Sequence, residues 1–318
     1  MESIGLSEET KVGIVGAGLM GHAIAQLFAV KGHPVSLFDS NHQVLEKAPA
    51  RIRANFKTFL ELGLATPDDV ERALSRVALC RELGEAASGA DLVIEAVSEN
   101  LPLKRRIFAE LEKHVRPDTI LSSNTSAISI TLIAEPLEIK DRVLGTHFWN
   151  PPHIVPCVEV IRSRFTSETV FESVFRLMKQ IGKRPVKVLR DVPGFLGNRM
   201  QHALWREAMS LVQQGIATPE GIDEVVKFGF GLRMPFLGPL ETADLAGLDL
   251  SRKVHEDLFP HLEDTVTPLA VLVDKVEQGD LGAKTGRGFH DWPKEKLEQV
   301  ISERDRFLLR ITQLISGH

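Results

Sequence analysis

Residues 12–21 read VGIVGAGLMG, an apolar run that breaks into glycine at positions 16, 18 and 21. Glycine-rich turns between a strand and a helix are common, so the pattern alone leaves open a phosphate-binding turn or a mere tight bend. The flanks decide between them. VGIVGAG has the length and β-branched content of a strand, and MGHAIAQLFAVKG then places apolar residues every three to four positions, a helix opening at Gly21. HPVSLFDS reads as a second strand ending in Asp39. In that setting Gly16 permits the turn, Gly18 lets the backbone approach a pyrophosphate, and Gly21 lets helix and strand pack closely, with Leu19 and Met20 inside the same turn. The helix N-terminus aims amides and the positive end of its dipole at phosphate. Asp39, 18 residues beyond Gly21, is positioned to accept hydrogen bonds from ribose hydroxyls. A 2′-phosphate would meet its negative charge, and no arginine follows in SNHQ, so the reading favours NAD over NADP.

Outward from this stretch, short β-rich runs alternate with helical patterns as far as residue 190. The runs are KVGIVGAG, HPVSLFDS, ADLVIEAV, TILSSNTS, RVLGTHFW, VPCVEVI and PVKVLRD. Alternation of this kind predicts a mostly parallel sheet with helices on both faces. After RDVPGF the β character disappears and the chain reads as helices. The expected organisation is α/β: a doubly wound, Rossmann-type NAD domain over 1–191, then a smaller all-helical domain over 192–318.

With 318 residues the chain has room for two domains, and 43% hydrophobic with 25% charged residues is ordinary globular composition. A net charge of −5 offers nucleic acid no general attraction. No apolar run approaches the length of a membrane span, and MESIGLSEET lacks the apolar stretch of a signal peptide, so the expected compartment is the cytoplasm. Cys80 and Cys157 sit far apart in apolar contexts and read as buried thiols. No metal site is expected, since neither cysteine has ligand spacing and no HExxH occurs.

A nicotinamide enzyme needs a group that takes the proton of an alcohol. The chain contains no tyrosine, which removes dehydrogenases built on a Tyr and Lys pair. A histidine remains, the side chain whose pKa lies nearest working pH. In GTHFWNPPHIVPCVEVI, an antiparallel pairing of RVLGTHFW with VPCVEVI centred on residue 153 sets His147 opposite Glu159. A carboxylate there fixes the imidazole tautomer and stabilises the cation formed on proton abstraction, although a purely structural pair has the same spacing. His153 reads as a loop residue.

The motifs GAGLMG, SENLPLK, SSNTSAISI, THFWNP, VEVI, DVPGFLGNRM, GPLETADLAGLD and KTGRGFHDW, in this order over about residues 11–292, resemble the L-3-hydroxyacyl-CoA dehydrogenase family, nearest to its λ-crystallin or L-gulonate 3-dehydrogenase-like branch. The resemblance implies an NAD-dependent enzyme whose helical domain forms a homodimer. It implies that His147 is the base, that Glu159 is its partner carboxylate, and that Ser126 and Asn198 contact the reacting oxygen. Glu99, Lys104, Asn150 and Lys284 resemble positions touching the nicotinamide half of the cofactor. Bland alternatives are a helix cap for Ser126, an exposed helix position for Asn198 and a solvated charge for Lys284.

Two departures bear on the substrate. The helix that carries CoA-binding lysines in the acyl-CoA enzymes is represented here by NFKTFLELGLA, where Lys57 is the sole basic residue. The loop GFGLRMPFLGPLE carries Arg233, whose planar fork suits a free carboxylate, unless it pairs with Glu241. The expected substrate is therefore a small 3-hydroxy acid, gulonate-like or similar. An L-3-hydroxyacyl-CoA such as 3-hydroxybutyryl-CoA is the alternative. A non-catalytic, crystallin-like NAD-binding protein is the alternative of another class.

Overall fold

The computed structural model of the chain describes residues 6, 7 and 9–316. Most of the MESIGLSEET segment lies outside the described residues. The chain divides into two compact units, the first running to Arg199 and the second starting at Met200.

The first unit is built on one eight-stranded sheet: β1 (Val12–Val15), β2 (Val35–Phe38), β3 (Val77–Cys80), β4 (Leu92–Glu95), β5 (Ile120–Ser123), β6 (Val143–Phe148), β7 (Cys157–Arg162) and β8 (Arg184–Val188). Their order across the sheet is β3-β2-β1-β4-β5-β6-β7-β8. The first six are mutually parallel, β7 runs antiparallel to β6, and β8 follows β7 in parallel. That order reverses direction between β1 and β4, the point where an open α/β sheet offers a crevice at the carboxyl ends of its strands.

Helices cover both faces, which is why β1 and β4 are buried throughout and apolar save for Glu95 at the end of β4. On one face Ile24 and Phe28 of the Gly21–Val30 helix, Ile52 and Phe56 of Ala48–Glu61, and Phe171 and Leu177 of Glu168–Gln180 pack on Ile14, Leu92 and Ile94. On the other, Phe108 and Leu111 of Leu101–His114 meet Val93, Leu121, Val143 and Ile161.

The sequence reading named seven strands and missed β3. It is the edge strand, its apolar run VALC is only four residues long between Arg76 and Arg81, and only Cys80 of the four is buried. Cys157 also departs from expectation: unlike Cys80 it is only partly buried, at the first position of β7.

In the second unit the helices include Pro219–Phe228, Pro239–Ala246, Leu248–Leu258, Ala270–Glu277 and Lys294–Ser316. The apolar spacing of ETADLAGLDLSRKVHEDL reads as one continuous helix, and the structure makes it two. Gly247 breaks it at φ +95°, where a Cβ would also come within 2.8 Å of the Asp249 carboxylate. Among the described residues no helix is long and apolar enough to cross a membrane, and no cluster of His, Cys, Asp and Glu could hold a metal ion.

Candidate active site

Gly16 holds φ +103°, and a Cβ there would lie 2.7 Å from the Ala96 carbonyl. A Cβ on Gly21 would lie 1.6 Å from the Gly16 carbonyl, so any side chain would pry the helix from the turn. At Gly18 a Cβ would meet nothing, and the open space lies on the approach to the backbone. The Gly21–Val30 helix has no acidic residue in its first turn and no side-chain cap, so its amides and dipole face no competing anion. Leu19 is exposed and Met20 half-buried at this helix start. Asp39 ends the second strand, with Oδ2 accepting from Ala17 N at 2.8 Å and Oδ1 from Asn41 N at 2.8 Å. The carboxylate therefore also braces the glycine turn. These residues fit a dinucleotide: a pyrophosphate on the Gly16 to Gly21 turn and an adenosine ribose near Asp39.

Behind the carboxyl ends of β4 and β5 lies a buried polar network. Glu95, fully buried, accepts from Lys104 Nζ (2.7 Å), Val97 N (2.7 Å) and Ser123 Oγ (2.6 Å). Lys104 is 1% exposed and its ammonium also lies 3.5 Å from Glu99 Oε2. Glu99 Oε1 in turn gathers the N–H groups of Ser126 and Ala127, both at 3.0 Å, together with the Thr125 hydroxyl. Burial alone would raise the Glu99 carboxyl. These hydrogen bonds and the Lys104 charge outweigh it and hold the group below the ordinary carboxylate range. Of the residues expected at the nicotinamide half, Glu99 and Lys104 thus share one network. Asn150 is exposed ahead of the cis Asn150-Pro151 bond.

The β6/β7 register sets His147 opposite Glu159, with Nδ1 and Oε2 2.7 Å apart. Both are buried, at 4% and 2% exposed. An ionised carboxylate can only accept, so Nδ1 carries a proton, and it is the Nε2 lone pair that the neutral form of the ring presents. The Trp149 and Phe195 rings flank the imidazole with centroids 5.2 and 5.9 Å away. Glu159 Oε1 accepts from Leu196 N (2.9 Å) and Gly197 N (3.0 Å). Burial pushes the Glu159 carboxyl up, but the bonds from His147, Gly197 and Leu196 prevail and keep it below its ordinary value of 4.5.

Leu196 and Gly197 of the DVPGFLGN segment supply those two donors, and of that segment the sequence points only to Asn198 as a site residue. The segment's signals were present: Phe195 takes φ +49° between Gly194 and Gly197, and a Cβ on Gly197 would fall 2.1 Å from the Trp149 ring. Asn198 follows in the first turn of the Gly197–Gln213 helix and donates Nδ2 to Ser126 O at 2.9 Å. Ser126 and Asn198 are thereby brought together. Ser126 caps nothing, since Ser129 is the cap of Ile130–Ala134.

Arg233 and Lys284 belong to the second unit. Arg233 ends the short Phe230–Arg233 helix with its side chain exposed. The alternative pairing with Glu241 does not form: Glu241 instead accepts from Gly238 N at 2.7 Å and closes a capping box. Lys284 is exposed at the tip of a turn closed by the Gly282 and Arg287 bridge.

Residues 11–192 match the family model described as 3-hydroxyacyl-CoA dehydrogenase, NAD binding domain, and residues 194–292 match its C-terminal domain. A probable 3-hydroxybutyryl-CoA dehydrogenase of Bacillus subtilis is 39% identical over 91% of this chain and 99% of its own length. The crystal structure of 5-formyl-3-hydroxy-2-methylpyridine 4-carboxylic acid 5-dehydrogenase, an NAD+-dependent dismutase, matches with TM-score 0.91 at 32% identity, covering 98% of this chain and 99% of that one. (S)-3-hydroxybutyryl-CoA dehydrogenase PaaH1 from Ralstonia eutropha matches with TM-score 0.75 at 37% identity, covering 90% and 100%.

Proposed function

The chain belongs to the 3-hydroxyacyl-CoA dehydrogenase family and is an NAD-dependent oxidoreductase, and from that premise we propose that it oxidises a secondary hydroxyl on a small molecule carrying a free carboxylate. The observation that carries the free acid is Arg233, an exposed guanidinium with no carboxylate partner among the described residues, while Glu241 is engaged with Gly238 N. Arginine's fork pairs with a carboxylate through two parallel hydrogen bonds. Two further observations support it. The likeness to an enzyme named for a pyridine carboxylate has TM-score 0.91, against 0.75 for one named for a CoA ester. On the Ala48–Glu61 helix Arg53 is paired with Glu71, which leaves few cations for CoA phosphates.

In this reading His147 Nε2 removes the hydroxyl proton, and bound NAD supplies the hydride acceptor. Glu159 fixes the tautomer and stabilises the imidazolium that forms. Ser126 donates its hydroxyl to the substrate oxygen. One N–H of Asn198 holds the Ser126 carbonyl and the other remains for the substrate. Glu99, Lys104, Asn150 and Lys284 serve the nicotinamide half. A 3-hydroxyacyl-CoA is the second reading, favoured by the 39% identical relative named for 3-hydroxybutyryl-CoA. Initial rates with free hydroxy acids and with their CoA esters decide: faster turnover of the ester overturns the proposal. The working form is a homodimer in this reading, supported by the exposed apolar helix faces of the second unit. Light scattering should return twice the 35.2 kDa chain mass.

A further inference from the structure

Asn124 is the first residue past β5, and its backbone N–H donates to the Glu95 carbonyl at 2.7 Å, extending the β4/β5 ladder by one step. The β5/β6 pairing ends at Ser123 and Gly145, so β6 overhangs its neighbour by the three residues that include His147. In that overhang β5 offers the Phe148 N–H no acceptor, although β7 still flanks β6 on its other side. Asn124 supplies the acceptor, with Oδ1 2.9 Å from Phe148 N. A backbone N–H can only donate, so the amide cannot be flipped: its oxygen faces Phe148 and its NH2 faces away. Nδ2 has no acceptor among the described residues, although the side chain is only 9% exposed, and it is not one of the buried atoms lacking a partner. A nearly buried amide is therefore locked with its two N–H groups opening at the carboxyl ends of β5 and β6, one residue from His147 and two from Ser126.

We infer that Asn124 is a cofactor-positioning donor, its Nδ2 binding the carboxamide oxygen of the nicotinamide. A doubly wound sheet holds a dinucleotide across two halves, and with Asp39 and the glycine turn on the first, the β4 to β6 half receives the nicotinamide nucleotide. The ring's hydride-accepting carbon neighbours the carbon bearing the carboxamide. Holding that oxygen beside His147 selects which ring face the substrate meets. The inference rests on the dinucleotide reading of the site and not on which alcohol is oxidised.

Asn124→Asp separates donor from clamp, because a carboxylate still accepts from Phe148 N but cannot donate. At neutral pH its melting temperature should stay within about 2 °C of the parent, while fluorescence titration shows NADH affinity reduced about tenfold, the size of one net hydrogen bond. Asn124→Ala removes both roles and should lower stability as well. In the unmodified protein, the thionicotinamide analogue of NADH, whose sulfur is a poor acceptor, should bind about tenfold more weakly than NADH, and Asn124→Asp should erase that difference. Unchanged NADH affinity in Asn124→Asp, or equal affinity of the unmodified protein for both dinucleotides, overturns the inference. So does a rise in the KM of the hydroxy substrate alone, which would assign Nδ2 to the substrate. Tight NADH binding without turnover of any alcohol would count against the dehydrogenase reading and leave this one standing.

Discussion

The two units solve the burial problem differently. In the first, β1, β4, β5 and β6 are buried at every position. In the second, Ser210, Leu269 and Leu309 are the buried residues among those described, while Phe228, Phe236, Leu240 and Leu245 are each at least 70% exposed. A helical unit with so little interior cannot offset its own chain entropy and must cover its apolar faces with something else. The contrast also agrees with where the chemistry is proposed to sit. A histidine and carboxylate pair gains strength from a dry, rigid surrounding, which only the first unit provides.

The strongest way to break this comparison is to separate the units. A chain ending at Arg199 should melt cooperatively, whereas residues 200–318 alone should aggregate or show helical signal without a cooperative transition. The cut has to follow Arg199, since ending at 191 removes the Leu196 and Gly197 donors and leaves Glu159 Oε1 unpartnered in the interior. Breaking into such a buried pair costs roughly 3–5 kcal/mol. A monomeric second unit with a sharp melting transition would refute the contrast.

Next in size is the imidazole. His147→Gln should lower kcat by on the order of 10² to 10⁴, the range for a lost general base, with NADH affinity unchanged. Acid sharpens the same point. The carboxyl of Glu159 lies below its ordinary 4.5 in the folded chain, so its contribution to stability is complete above that value and disappears as pH falls through the lower folded pKa. A melting temperature flat between neutral pH and the acid side of 4.5 would contradict the assignment.

The second unit enters through Arg233. Arg233→Met should cost roughly 2–4 kcal/mol in kcat/KM for a free acid, through the lost charged hydrogen bonds, and nothing for a CoA ester. Because Arg233 makes no side-chain bond among the described residues, its removal should leave the melting temperature in place. A fall in stability equal to the fall in activity would make it a structural residue.

Legibility followed the same division. The glycine turn, Asp39 and the His147 to Glu159 register were open to sequence because each rests on local spacing: a two-residue period across a hairpin, or a glycine at a fixed offset. The donors from Leu196 and Gly197 were not, since they meet Glu159 across 37 and 38 residues with backbone atoms that leave no side-chain signature. Asn124 lay inside a quoted motif, but its role depends on β6 outrunning β5, a fact of register. β3 escaped because its apolar run is only four residues long and mostly exposed at the sheet edge. In the second unit helices were legible and their break at Gly247 was not, as a lone glycine within helical periodicity does not declare its φ.

The smallest expected effect is cofactor choice, confined to the first unit. Measured kcat/KM should favour NAD over NADP by more than about tenfold, since repulsion of a 2′-phosphate by Asp39 together with one lost charge-assisted bond exceeds roughly 1.4 kcal/mol. The structure adds a complication: Asp39 Oδ2 also holds Ala17 N. Asp39→Ser should therefore lower NAD use in absolute terms by loosening the turn, even as it narrows the ratio. Asp39→Asn removes the charge and keeps the brace on the turn, because its one oxygen can still accept from Ala17 N while nothing repels the phosphate, and only the bond from Asn41 N is given up. If the ratio narrows in both variants but NAD use falls only in Asp39→Ser, the carboxylate discriminates by charge and braces by hydrogen bonding. An unchanged ratio in Asp39→Asn would move discrimination elsewhere in the crevice, and equal use of both dinucleotides by the unmodified chain would remove it. Neither change should alter the proposed preference for a free acid over its CoA ester, because the proposal rests that preference on Arg233 of the second unit.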